Sequence, residues 1–157
     1  MVHQLQPLLA PDDFITMLRL DLITKWFGEF FLPDGQGADI VEEMKELVVQ
    51  PWFAGELAKE VADRWLFGRE EATFLVRLSQ TDAVHFPFTI SKRKDSKNAH
   101  RRIQRLTYDM TRPDRFSVET FDEPISAMNI VELINKLRVI HSVGNECPRE
   151  ELASENP

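Results

Sequence analysis

Apolar and polar positions change their period along this chain. From Phe14 the apolar residues recur at three- and four-residue steps through Met17, Leu18, Leu22 and Trp26, which predicts a helix from just after Asp12-Asp13 to about Phe30. Pro33-Asp34-Gly35-Gln36-Gly37 reads as a loop, and a second helix follows from Asp39 with Val41, Met44, Leu47 and Val48 on one face. The texture changes at Pro51. A short helix, Lys59 to Leu66, leads through the turn Gly68-Arg69-Glu70-Glu71 into Thr73–Leu78, a run of β-formers read as a strand. Phe86 to Ser91 alternates Phe86, Phe88 and Ile90 as a second strand, Ala99 to Leu106 makes a third, and Phe116-Ser117-Val118 a short fourth. The tract between the second and third strands, from Lys92, reads as a tight, solvated connection. Pro124 and Ser126, the latter as N-cap, open a last helix bearing Met128, Ile130, Val131, Leu133, Ile134, Leu137 and Ile140. After Gly144 the residues turn polar and acidic.

The order helix, antiparallel strands, helix predicts an α+β fold, a central antiparallel sheet flanked by two helices. The expected division is a helical extension over 1–50, the sheet-containing domain over 51–142, and an acidic disordered tail over 143–157. In the extension, Trp26-Phe27-Gly28-Glu29-Phe30-Phe31 is very apolar for a helix end, so it is expected to pack on the body, the alternative being an exposed docking surface.

Charge adds one feature. The chain of 157 residues carries a net charge of -7. Residues 1–50 hold 3 Lys/Arg against 9 Asp/Glu, whereas residues 89–105 hold 7 Lys/Arg against 1 Asp. One concentrated basic stretch in an acidic protein suggests an anionic partner of limited size, although a solvated strand pair would look the same. The single cysteine, Cys147, can form neither an internal disulfide nor a zinc site, so a reducing, cytoplasmic setting and a monomer are expected. No apolar run approaches the ~18 residues of a membrane span, and the N-terminus lacks a signal-peptide layout.

Arg77 stands out. It ends a strongly apolar strand, and a buried guanidinium is costly unless it is paired. No acid follows it before Asp82. It therefore either pairs with a distant carboxylate, the heavier reading from pattern alone, or awaits an anionic ligand, which a two-pronged guanidinium suits well.

A family resemblance bears on that choice. Trp52-Phe53-Ala54-Gly55, a short helix, and Thr73-Phe74-Leu75-Val76-Arg77-Leu78-Ser79 resemble the opening of SH2 domains. Phe88-Thr89-Ile90-Ser91, His100-Arg101-Arg102-Ile103, Phe116-Ser117-Val118 and Ser126–Leu137 resemble later family segments in the same order, so the likeness covers about residues 51–140. The wording of Phe88–Lys92 and His100–Ile103 is also similar to SH2 domains that accompany kinases in amoebae. The resemblance implies a phosphotyrosine-peptide-binding module. On it, Arg77 would grip the phosphate, Ser79 would add a hydroxyl, and the loop at Gln80 and Thr81 would close over phosphate oxygens with backbone N–H groups. Lys59 would supply a basic group from the first helix, His100 would brace Arg77, and Arg102 would pack on the phosphotyrosine ring. Arg101, Val118 and Glu119 would set peptide specificity.

Three positions depart from the family wording. Ala54 replaces a usual His or aromatic residue, Leu78 a polar one, and Arg101 an aromatic one. Arg101 suggests a preference for acidic residues just after the phosphotyrosine. The segment after the last helix is short, which argues against a deep downstream pocket.

Rival classes are weaker. A nucleic-acid or anionic-lipid binder could use the 92–105 patch, but that patch lacks interleaved aromatics. A phosphate-independent scaffold would not need Arg77. No triad signature, metal-ligand spacing or kinase loop motif is present, so no catalysis, metal or cofactor is expected, although the chain could be part of a larger kinase.

Overall fold

A computed structural model describes residues 17–28, 37–107 and 111–148 of the chain. Ten elements follow in order: α1 (Met17–Phe27), α2 (Gly37–Val48), β1 (Phe53–Glu56), α3 (Lys59–Leu66), β2 (Phe74–Leu78), β3 (Phe88–Lys94), β4 (Lys97–Arg105), β5 (Phe116–Val118), β6 (Ile125–Ala127) and α4 (Ile130–Val139). The strands form one sheet in chain order; β1 joins β2 in parallel and every other pair is antiparallel.

Alternation along the strands divides the molecule into two layers. Register places Phe74, Val76 and Leu78 beside Lys92, Ile90 and Phe88, and then beside Ala99, Arg101 and Ile103. This face meets α4, and its core includes Val76, Leu78, Ile103, Leu133 and Ile134, all fully buried. The opposite face carries Leu75, Arg77, Thr89, Ser91, His100 and Arg102 and meets α3 through a smaller cluster of Leu57, Ala62, Leu66, Leu75 and Cys147. Apart from Lys92 and Arg101, the face beneath α4 is apolar, whereas the other mixes a small apolar cluster with a polar track.

The helix pair packs on the α4 face. Ile23, Trp26, Phe27, Ile40, Met44, Leu47 and Val48 belong to the main core, and the Phe27 ring meets Phe88 edge-on with centroids 5.7 Å apart. The expected packing of the Trp26-Phe27 end is therefore found; residues 29–31 and the start of the predicted helix at Phe14 lie outside the described residues. Helix α1 ends three residues earlier than its apolar pattern predicts. Gly28 adopts φ +95 and its N–H returns to the Thr24 carbonyl at 2.8 Å, a left-handed glycine that closes the helix.

One strand is added to the pattern and three other expectations need correction. Phe53–Glu56, which the pattern left unassigned, forms β1: a bulge between Phe53 and Gly55, with Gly55 at φ +66, lets it run beside β2. The basic tract at Lys92–Lys94 is strand rather than loop; only Asp95 and Ser96 turn between Lys94 and Lys97, with Asp95 at φ 47. Ser126 does not cap the last helix. It lies in β6, with its hydroxyl on Asp114, while Asn129 accepts from the Glu132 N–H at 2.8 Å and the Glu132 carboxylate accepts from the Met128 N–H at 3.1 Å. The segment expected as tail is ordered through Pro148: Phe74 N–H donates to the Asn145 carbonyl, Cys147 N–H donates to the Phe74 carbonyl, and Val143 and Cys147 are buried. Arg138 adds an ion pair to Glu146 while lying over the Phe74 ring. Residues 149–157 lie outside the described residues.

Candidate functional site

Strand β2 carries Arg77 into the α3-facing layer, where it is 8% exposed. Its Nε–H donates to Ser91 Oγ at 3.3 Å and its Nη1–H to the Leu57 carbonyl at 3.4 Å. Both partners are neutral and both bonds are long. Among the described residues no carboxylate reaches ion-pair distance of Arg77. Burial holds its pKa below the ordinary value, and Asp63 and Glu60 offset this only at longer range. The guanidinium nevertheless remains charged.

Behind Arg77 runs a relay. Ser91 Oγ lies 2.9 Å from His100 Nδ1, and His100 Nε2 lies 3.0 Å from Asp63 Oδ1. Asn98 Nδ2 donates to the same carboxylate oxygen at 2.8 Å. The bonds run one way when His100 is neutral with its proton on Nε2: Arg77 donates to Ser91, Ser91 to Nδ1, and Nε2–H to Asp63. The electrostatics agree. Burial lowers the His100 pKa, Asp63 works against it, and Arg77 and Lys59 add to the lowering. Burial alone would raise the Asp63 pKa, but hydrogen bonds from Asn98 and His100, the attraction of the imidazole when it is protonated, and the nearby charge of Lys59 bring it below the ordinary value.

The remaining predicted phosphate-site residues gather around this relay. Ser79 follows β2 and is buried, with its hydroxyl 2.9 Å from Thr89 Oγ1. Gln80 and Thr81 are exposed in the loop beyond it. Arg102 bridges strand and loop: its Nη2–H donates to the Thr81 carbonyl at 2.7 Å, and its guanidinium sits 4.2 Å from the centre of the Phe86 ring. Lys59 opens α3, exposed, close enough to act electrostatically on Asp63 and His100. Asp63, Ser91, Thr89 and Phe86 are the members that sequence reasoning missed. Thr89 and Ser91 were implicit in strand alternation, since Phe88 and Ile90 occupy the opposite face. Asp63 lies one helical turn beyond Lys59 and so shares its side of α3.

The three predicted specificity residues meet on the other face. Arg101 Nη1 donates to the Glu119 carbonyl at 3.4 Å, and Arg101 and Val118 line a shallow cleft with Ile90, Lys92, Leu137 and Val143. Lys92 donates to the Ser142 carbonyl at 2.7 Å, and burial, Arg101 and Lys94 depress its pKa. Among the described residues, the segment 98–103 of β4 pairs with β3 alone, because β5 meets only Gln104 and Arg105. That stretch of edge lies between the Arg77 face and this cleft.

The SH2 family model matches residues 52–127. These residues are an SH2 domain. SH2 domains are phosphotyrosine-peptide-binding modules. The chain is 36% identical over 144 residues to the dual specificity protein kinase shkE of Dictyostelium discoideum, a match covering 88% of this chain and 20% of that protein. It is 40% identical over 90 residues to the dual specificity protein kinase shkD of the same organism, covering 57% of this chain and 12% of that one. The chain thus spans about a fifth or less of these relatives, and the shkE match reaches beyond the SH2 domain into its flanks. Among solved structures, the SH2 domain of a Monosiga brevicollis CRK/CRKL homolog aligns with TM-score 0.49 at 19% identity, covering 64% of this chain and 89% of that one.

Proposed function

We propose that the SH2 domain of this chain binds a phosphotyrosine peptide with Arg77 as the principal phosphate ligand. The observation that carries the reading is a buried guanidinium with two long bonds to neutral acceptors and no carboxylate in ion-pair reach among the described residues. A dianion would supply the missing counter-charge and two short charge-assisted bonds. Ser79 and the backbone of Gln80 and Thr81 complete the cradle, Lys59 adds charge from α3, Arg102 faces the phosphotyrosine ring, and His100 braces the arginine through Ser91. A phosphoserine is too short to bring its phosphate to so deep a group.

The finer preference follows from the cleft. Lys92 and Arg101 place two cations beside Val118 and Glu119 at the exit of the site, so acidic residues after the phosphotyrosine are favoured. Equal binding of arrayed peptides with acidic and basic residues there would overturn this preference.

The central test is titration of a phosphotyrosine peptide library, with unphosphorylated counterparts, into wild type, Arg77→Lys and Arg77→Ala. Two hydrogen bonds to a charged group amount to about 3–6 kcal/mol, so Arg77→Ala should lose at least a hundredfold in affinity. Arg77→Lys, which keeps charge but not the fork, should fall between. Undiminished binding by Arg77→Ala, or preference for RNA or anionic vesicles, would refute the reading.

A further inference from the structure

Helix α1 lies outside the matched SH2 segment, yet it touches the phosphate loop. Trp26 is 2% exposed, and its indole Nε1–H donates to the Ser79 carbonyl at 2.8 Å. The helix end that presents this indole is itself held by the sheet: Arg105 Nη2 donates to the Lys25 carbonyl at 2.9 Å and to the Trp26 carbonyl at 2.5 Å. The backbone N–H of the same Arg105 donates to the His85 carbonyl at 2.7 Å, at the far end of the loop. Ser79 is thus restrained at all three of its polar groups, its N–H by the Pro87 carbonyl at 2.9 Å, its hydroxyl by Thr89, and its carbonyl by Trp26.

The peptide bond makes the last restraint consequential. In a planar trans peptide the carbonyl of one residue and the N–H of the next point in opposite directions. Anchoring the Ser79 carbonyl towards α1 therefore aims the Gln80 N–H away from the helix, out of the core. Two residues on, Arg102 holds the Thr81 carbonyl at 2.7 Å from the Arg77 face and so fixes the course of the loop beside that peptide. The loop is thus anchored at two carbonyls, Thr81 by Arg102 and Ser79 by the helical extension, and the Ser79 anchor is the one that turns a donor, the Gln80 N–H, away from α1.

We propose that Trp26 is a positioning residue for the phosphate loop, so that the helical extension is part of the phosphopeptide-binding apparatus rather than a passive neighbour. The proposal rests on the phosphotyrosine reading of the Arg77 site. A preset Gln80 N–H needs no reordering when a phosphate arrives, and affinity is gained by avoiding that cost. Release of α1 would free the Ser79–Gln80 peptide to rotate and weaken binding without altering any phosphate-contacting side chain.

The test uses the full chain carrying Trp26→Phe, which keeps an aromatic ring but removes the N–H. Phosphopeptide affinity should fall about three- to tenfold, the range of one hydrogen bond, through a faster off-rate. The Gln80 amide should also lose part of its peptide-induced chemical-shift change. Ile134→Val, in the core of α4, serves as the comparison: it should lower the melting temperature and leave affinity unchanged. Arg105→Gln, which releases the end of α1 from the sheet, should reproduce the Trp26→Phe effect if that variant folds poorly. Wild-type affinity in Trp26→Phe, or an affinity loss matched by Ile134→Val at equal destabilisation, would overturn the positioning role while leaving the Arg77 reading intact. Failure of wild type to bind phosphotyrosine peptides would overturn both.

Discussion

Ser91 offers a clean perturbation of the relay, because Ser91→Ala removes one oxygen that serves two neighbours. The residue is 0% exposed, so water cannot replace the lost group without opening the fold. Two losses follow. His100 Nδ1 loses a donor at 2.9 Å, a well-formed bond contributing about 1 kcal/mol. Arg77 Nε loses an acceptor at 3.3 Å, and an unmet charged donor costs about 1.5–3 kcal/mol, with the long bond placing it near the lower bound. Packing changes by one atom and adds little. The expected destabilisation is about 2–3 kcal/mol, read as a shift in urea midpoint at constant slope. A double-mutant cycle with His100→Ala should return a coupling of at least about 0.5 kcal/mol, since the two residues share a bond. A Ser91→Ala protein within about 0.5 kcal/mol of wild type would show that the relay is coincidental geometry, and the argument that His100 braces Arg77 would fail with it.

Other outcomes can be stated briefly. Because burial depresses the His100 pKa below its ordinary 6.5, the folded state favours the neutral ring; this contribution to stability is complete above 6.5 and is lost as pH falls through the lower folded value. Urea titrations at stepped pH should show that decline in wild type and a shallower one in His100→Gln. Leu133→Ala, at a site 0% exposed between α4 and the sheet, should cost about 2–5 kcal/mol by the same assay. Cys147 is 4% exposed and burial raises its pKa, so a thiol reagent should modify it slowly in the native protein and rapidly in denaturant. Rapid native labelling would show that the segment after α4 is not docked as described.

The parts of this molecule legible in sequence were those written in local periodicity. Strand β2, helix α3 and the hairpin strands follow from alternation and from the three- to four-residue step, and those patterns already put Arg77 on a different face from Phe74 and Val76. The misjudged parts were decided by tertiary partners. Ser126 has the chemistry of a cap, but Ile125–Ala127 finds a strand in Phe116–Val118, and Asn129 caps instead. Lys92–Lys94 looks like a solvated loop, yet it pairs with Lys97–Ala99, and Lys92 reaches Ser142 fifty residues away. Asn145 and Cys147 look like tail, yet they complete the hydrogen bonds of Phe74. Within the site, Arg77 was visible as an anomaly, whereas Asp63 and Trp26 were not, because one acts through His100 and the other through a backbone carbonyl.

The docked segment after α4 ties both ends of the sheet-containing domain to one strand. Strand β2 uses one edge to receive both segments: Val76 N–H donates to the Trp52 carbonyl, and Phe74 N–H donates to the Asn145 carbonyl. Two residues of strand separate those bonds, about 7 Å. The start of the SH2 segment and the segment after α4 therefore lie side by side, on the strand that delivers Arg77 but at the side of the sheet remote from β4. Fraying at that edge would release both segments at once, and either one coming loose would leave the strand that delivers Arg77 short of a backbone partner.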